Sequence, residues 1–263
     1  MNSRPLALIT GASSGIGAAY AERLAADGFD LILAARTSSR LKNMSQRLSK
    51  NYGAQTKTLV VDLSKTTDVK QAEALISTLP SLAMLVNNAG FVLMGPVSEL
   101  DADRAEEQLR LHLVALVRLT RAALPGMLRN RRGDLISVSS TMALQGRPLI
   151  ASYSATKAFM ITFAESLQAE LRDTGVRTQV VCAGRVRTEI LHKAGVDTTK
   201  MPDSTFMSPE AVVGASLAGL QLGEIICIPG LEDSSLLEEQ RSLARRIQDE
   251  SSFTNVVASR YVR

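Results

Sequence analysis

Seven short apolar runs recur along the chain, separated by longer segments in which apolar residues return every three or four positions. The runs are LALIT (6–10), DLILAAR (30–36), TKTLVVDL (56–63), SLAMLVNNA (81–89), GDLISVSS (133–140), RTQVVCA (177–183) and GEIICIPG (223–230). Most are nearly continuous in apolar character, which fits parallel strands covered by helices on both faces. The segments 15–27, 38–51, 66–78, 101–129, 152–174 and 208–221 carry helical periodicity. Unbroken β–α alternation predicts one domain, 1–263, of α/β class: a doubly wound, mainly parallel seven-stranded sheet with helices on both faces. No repeat, low-complexity tract or linker interrupts it. From Leu231 the composition shifts to a charged tail, 231–263, in which Leu236, Gln240, Leu243 and Ile247 mark a weak helical stripe.

Composition narrows the function classes. A chain of 263 residues with 45% hydrophobic content can bury a substantial core. The net charge of +4 and pI near 9.2 are mild, the basic residues are scattered, and no Trp offers a stacking platform. Nucleic-acid binding is therefore not indicated. The apolar part of the N-terminal MNSRPLALIT is too short for a signal peptide, and no run approaches a membrane span. Cys182 and Cys227 are too few for a disulfide framework. They read as small buried apolar side chains in a reduced, cytoplasmic protein. No metal site is expected.

The first chemical motif follows the first strand. TGASSGIG (Thr10–Gly17) opens the first helix, and its Gly11, Gly15 and Gly17 allow a sharp turn and close backbone approach to a pyrophosphate at the helix N-terminus. Ser13, Ser14 and Ile16 complete the loop. The spacing is G-x-x-x-G-x-G rather than the commoner G-x-G-x-x-G. After the second strand the chain has Ala34-Ala35-Arg36, with Arg40 close behind, where an NAD enzyme would need an acid for the ribose hydroxyls. Guanidinium groups suit a 2′-phosphate, so NADP is the favoured cofactor and NAD the lesser one.

The second motif is Tyr153-Ser-Ala-Thr-Lys157, in which a phenol and an ammonium stand one helical turn apart. A neighbouring positive charge favours phenolate and is expected to lower the tyrosine pKa. Ser139-Ser140 precedes it by thirteen residues at a strand end. The stretch Leu109–Leu124, LRLHLVALVRLTRAAL, holds one of only two histidines. At about 100° per residue, Arg110, Arg118 and Arg121 share one face and His112 lies nearly opposite, pointing inward.

Together these residues resemble the short-chain dehydrogenase/reductase family, in its compact single-domain branch with a Rossmann-type fold. The resemblance covers Leu6 to about Gly230. It rests on TGASSGIG, Asp62-Leu63, Asn87-Asn88-Ala89-Gly90, Ser140, Tyr153-x-x-x-Lys157 and Gly184 to Thr188. It implies an NADP(H)-dependent oxidoreductase interconverting a ketone or aldehyde and its alcohol. Asp62 would meet the adenine amino group with Leu63 beside it; Asn88, Ala89 and Gly90 would line the ribose, and Asn87 would brace the central strands. Gly184, Val186 and Thr188 would border the nicotinamide, with Thr188 on its carboxamide. Ser140 would hold the substrate oxygen, Tyr153 would act as general acid/base, and Lys157 would tune Tyr153 and bond the cofactor ribose. The helices around 101–129 and 152–174 would form the interface of a homodimer or homotetramer.

Two departures stand out. Cys182-Ala183-Gly184 replaces the family's usual Pro-Gly, and His112 occupies the register of the usual catalytic asparagine. A neutral imidazole can hold a water or a backbone group, join the proton path, or simply pack. The substrate pocket is expected beside Val92, Leu93, Met94, Met142, Leu144 and Leu149. The 185–208 loop, with Ile190, Leu191, Met201, Phe206 and Met207, is expected to be a substrate lid that tilts the substrate toward a small apolar carbonyl or alcohol. His192 and Lys193 face substrate or solvent. The competing functions are a non-catalytic NADP-binding sensor or interaction protein, and an epimerase or dehydratase of related fold.

Overall fold

The computed structural model describes residues 4–252 and 254–262. The seven apolar runs become seven strands: β1 (Leu6–Thr10), β2 (Asp30–Ala35), β3 (Thr56–Val60), β4 (Met84–Asn87), β5 (Gly133–Ser140), β6 (Val176–Ala183) and β7 (Ile226–Cys227). They form one sheet in the order β3-β2-β1-β4-β5-β6-β7, with every neighbouring pair parallel. Several runs overshoot their strands because apolar character reports burial rather than pairing. Val61 and Leu63, for instance, are buried beyond the end of β3.

The helices are α1 (Gly15–Ala26), α2 (Ser38–Tyr52), α3 (Thr66–Ser77), α4 (Ala102–Leu109), α5 (Ala115–Arg129), α6 (Ala151–Glu170), α7 (Glu189–Lys193), α8 (Pro209–Leu222) and α9 (Ser235–Ser252). The single helix expected over 101–129 is divided by a π turn, Arg110–Val114, in which the Ala115 N–H bonds to the Arg110 carbonyl five residues back. Such one-turn widenings recur at functional sites. By length and composition the stretch Ala102–Arg129 could cross a bilayer, yet half of its most apolar window is buried within the protein. Its Leu119 and Met127 pack in the core.

Side chains alternate across the sheet and build a core on each face. Ala7, Ile9, Leu31 and Leu33 pack with Leu24 of α1, Leu48 of α2 and Val212 of α8. Leu8, Ile32, Leu85 and Leu135 pack with Val69 of α3, Leu119 of α5 and Leu167 of α6. Each fully buried Leu or Ile contributes about 1.5–3 kcal/mol, so the strand ends they anchor are rigid. Tyr20 and Ser216 add a polar pin: the Tyr20 hydroxyl donates to Ser216 Oγ (2.6 Å), which donates to Gln179 Oε1 (2.7 Å), joining α1, α8 and β6. Cys182 and Cys227 are buried free thiols.

The strand order reverses direction at β1, with β2 on one side and β4 on the other. The loops leaving β1 and β4 therefore diverge and open a cleft at their C-terminal ends, where doubly wound sheets bind ligands. Segment 185–208 is closed at its base by a parallel bridge between Val186 and Met207 and contains α7. One compact unit extends to Pro229 and a second begins at Gly230. Within the second, the tail's stripe falls on α9, with Leu236, Leu243 and Ile247 exposed.

Candidate active site

The cleft is built from the ends of β1 and β4. Gly11 has φ +67°, and a Cβ there would lie 2.7 Å from Asn88 Nδ2; a Cβ on Gly17 would lie 2.4 Å from the Gly11 carbonyl oxygen. Both positions therefore require glycine, because the loop folds back on itself and on the strand beside it. Thr10 Oγ1 accepts the Asn88 and Ala89 N–H groups (2.9 and 3.0 Å) and donates to the Val86 carbonyl (3.2 Å). Asn88 Nδ2 donates to the Thr10 carbonyl at 2.9 Å. The brace expected of Asn87 is thus made between the loops by Asn88, whereas Asn87 Nδ2 reaches Thr120 of α5 at 3.4 Å. Thr10 was missed because its partners are 76 or more residues away.

The first turn of α1 suits an anionic ligand. Ser14, its N-cap, makes no side-chain cap hydrogen bond, and no acidic residue stands in that turn. Its amides are thus left for a pyrophosphate, together with the positive end of the helix dipole. An open cleft of about 530 Å³ runs beside Ser14, Gly15 and Ala18 toward Arg187 and Thr188; it lies at the glycine loop, not at Tyr153. Ser13 and Ile16 are half-buried in the same loop. Arg36 is exposed just past β2, and Arg40, also exposed, pairs with Glu189 of α7 at 3.2 Å. Asp62 Oδ1 accepts from the Ser64 N–H and hydroxyl (3.1 and 2.7 Å), while the Leu63 side chain is buried in the core. Gly90 is exposed at the cleft and Gly184 at the end of β6. The Val186 side chain is committed to the core, so only its backbone is free for a ligand. Thr188 stands against the glycine loop, its Cγ2 3.0 Å from where a Gly15 Cβ would be.

The ends of β5 and α6 bring the chemical groups together. Strand alternation sends Ser139 and Ser140 opposite ways. Ser139 Oγ donates to the Lys157 carbonyl (2.9 Å) and ties α6 to β5, while Ser140 Oγ accepts the Met142 N–H at 3.2 Å. Tyr153 is 9% exposed and Lys157 5%. The Lys157 ammonium donates to the Val138 carbonyl at 2.8 Å and lies 5.6 Å from the centre of the Tyr153 ring. Burial lowers its pKa from 10.5 to about 8. The Tyr153 pKa, expected to fall, is instead raised: burial outweighs the opposing hydrogen bond with Ser140, and the ammonium bonds a carbonyl rather than the phenol.

His112 is 1% exposed and lies in the π turn, inward as its helical phase predicts. Its Nε2 accepts the Phe91 N–H at 3.2 Å and its Nδ1 lies 2.8 Å from Thr156 Oγ1. Burial, reinforced by the charge on Lys157, holds its pKa well below the ordinary 6.5, so the ring is neutral. Of the roles left open by the sequence, the backbone-bonded one is observed. Toward the expected substrate side, Val92, Leu93, Met142 and Leu144 are half-buried and Met94 and Leu149 exposed. Leu149 adopts φ +66°, and its carbonyl accepts the Gly95 N–H at 2.8 Å, joining the two stretches that carry these side chains. In the 185–208 segment Ile190, Leu191, Met201, Phe206 and Met207 are half-buried, and His192 and Lys193 are exposed.

A parallel doubly wound sheet, a glycine-rich turn at its topological switch point, and a buried serine, tyrosine and lysine where β5 and α6 meet together define a dinucleotide-type oxidoreductase site. The sequence matches the family model for short chain dehydrogenase over residues 5–198, and the chain belongs to that family. Among curated relatives it is 30% identical over 230 residues to a very-long-chain 3-oxoacyl-CoA reductase from Anas platyrhynchos, covering 85% of this chain and 72% of the relative. It is 33% identical to the enzyme of that name from Phaeosphaeria nodorum, covering 81% of this chain and only 62% of the relative. Among solved structures, a short-chain dehydrogenase from Sphingobium yanoikuyae in complex with NADPH superposes with a TM-score of 0.92 at 33% identity, covering 98% of this chain and 99% of that one. The bulky-bulky ketone specific alcohol dehydrogenase from Comamonas testosteroni superposes at 0.90 with 28% identity, both chains covered in full.

Proposed function

We propose that the protein is an NADP(H)-dependent oxidoreductase that interconverts an apolar ketone or aldehyde and its alcohol, with Tyr153 as general acid/base. The observation that carries this reading is the meeting of Ser140, Tyr153 and Lys157 in one nearly buried site, where Ser140 hydrogen-bonds Tyr153 and the Lys157 ammonium lies 5.6 Å from the Tyr153 ring. NADP preference is supported by Arg36 and Arg40 past β2, where no acid stands, and by the Sphingobium relative in complex with NADPH. A carbonyl flanked by large groups is supported by the half-buried apolar residues at 92–93 and 142–144 and by the names of the relatives.

The residues divide the work as follows. A nicotinamide dinucleotide would be held through its pyrophosphate by the glycine loop and would supply or accept the hydride. Ser140 Oγ donates to the substrate oxygen and stabilises the charge that develops there. Tyr153 gives its phenolic proton to that oxygen in reduction and takes it back in oxidation. Its raised pKa keeps the proton on the phenol until the oxygen becomes basic. Lys157, with its pKa near 8, stabilises the phenolate left behind and exchanges protons close to neutral pH. The exposed Val114, Val117 and Leu128, with Phe159 of α6, support assembly into a homodimer or homotetramer through these helices.

The test is NADPH and NADH oxidation with acetone, propiophenone and 3-oxododecanoyl-CoA. Faster turnover with NADPH, and kcat/KM rising from acetone to the larger ketones, is expected. Tyr153→Phe is expected to abolish turnover while NADPH still binds. Near-wild-type reduction by that variant would overturn the reading.

A further inference from the structure

Four side chains outside the catalytic trio form a closed ladder around Tyr153. Gln108, at the end of α4, is completely buried, yet both ends of its amide are satisfied. Its Nε2 donates to the Phe91 carbonyl (3.1 Å), and its Oε1 accepts the Ser152 hydroxyl (2.8 Å). His112, four residues on, repeats the arrangement: Nε2 accepts the Phe91 N–H, and Nδ1 meets Thr156 Oγ1. Thr156 Oγ1 in turn donates to the Tyr153 carbonyl at 2.8 Å. Both polar groups of residue 91 are therefore gripped from one side. The same two side chains hold residues 152 and 156, which flank Tyr153 on one helical face.

The proton count closes without a spare. The Phe91 N–H makes Nε2 an acceptor, so a neutral imidazole carries its hydrogen on Nδ1 and gives it to Thr156 Oγ1. The threonine hydrogen goes to the Tyr153 carbonyl. Every ring nitrogen is used and none is left to hand a proton to Lys157. A Cβ on Gly90 would come within 2.8 Å of His112 Nε2, so the ring also packs directly under the chain leaving β4. Its edge meets the Tyr153 ring, with centroids 5.9 Å apart and planes at 67°.

We propose that Gln108 and His112 are positioning residues, which clamp the Phe91 peptide and, through Ser152 and Thr156, fix the turn of α6 that carries Tyr153 against the cofactor-side segment 88–91. This rests on Tyr153 being the general acid/base. The clamp's contribution is orientation: a hydroxyl displaced by about an ångström from its acceptor loses up to about a hundredfold in rate.

The decisive variants remove one hydroxyl at a time from the full-length protein, with NADPH and propiophenone or 3-oxododecanoyl-CoA as probes. Thr156→Val is expected to lower kcat about tenfold, leaving KM for NADPH within twofold. Thr156→Ser, which keeps the hydroxyl, is expected to restore kcat. Ser152→Ala serves as a second, smaller perturbation and is expected to lower kcat in the same sense. The pH profile of kcat/KM should show no limb from His112, and amide exchange at Phe91 should quicken in His112→Asn. Wild-type kcat in both Thr156→Val and Ser152→Ala, or failure of Thr156→Ser to rescue, overturns the clamp. Should Tyr153→Phe retain turnover in the same assay, the acid/base reading itself fails; the two failures are thus told apart.

Discussion

Replacing Lys157 with methionine is expected to abolish turnover and yet remove a stability penalty of the wild-type fold. The ammonium is buried, and its pKa falls from 10.5 to about 8 because burial disfavours the charge. At about 1.4 kcal/mol for each unit of pKa, that interval corresponds to about 3 kcal/mol. The direction follows from proton linkage. Below pH 8 native and unfolded chains both carry the proton, and the fold bears the whole cost. Between 8 and 10.5 the unfolded chain holds a proton that the native state has released, so stability rises with pH. Above 10.5 both are neutral and the cost has gone. Methionine escapes this penalty but leaves the Val138 carbonyl without its 2.8 Å donor, a loss of about 1–3 kcal/mol. The net effect at pH 7 is therefore small. The diagnostic quantity is the unfolding free energy of the variant minus that of the wild type, which should fall by about 3 kcal/mol, from near zero at pH 7 to negative above about pH 10.5, as the wild type alone gains stability. Urea unfolding followed by circular dichroism, without added cofactor, measures it. A pH-independent difference would refute the reasoning, because it would mean that the buried amine titrates as it does in water.

Two further outcomes follow from the geometry. Glu189→Gln frees Arg40 from its ion pair and is expected to lower KM for NADPH about twofold while leaving KM for NADH unchanged; equal shifts with both cofactors would exclude Arg40 from the 2′-phosphate site. Light scattering is expected to report a mass of two or four chains of 28.3 kDa, and Val117→Asp to reduce it; a wild-type monomer would remove the proposed interface.

Much of the fold was legible because continuous apolar runs and 3.6-residue periodicity are local consequences of burial. Leu8 and Ile9 of β1 are both fully buried, on opposite faces, so their run could not alternate in polarity. Periodicity alone did not show the π turn: Arg110–Val114 reads as ordinary helix, and its widening is seen in the hydrogen bond from Ala115 to Arg110. Gln108 and Thr156 carried no motif either, since their partners are 17 and 44 residues distant.

By itself, then, the sequence determined what depends on spacing along one element: the glycine turn after β1, the one-turn separation of Tyr153 and Lys157, and the inward phase of His112. Only the tertiary structure decided which atoms those groups meet. It placed the Lys157 ammonium on the Val138 carbonyl, joined His112 to Phe91 and Thr156, and raised the Tyr153 pKa that spacing alone suggested would fall. The physical reason is that desolvation and hydrogen-bond partnership come from elements distant in the chain, and for buried polar groups they outweigh the influence of the nearest charge along the helix.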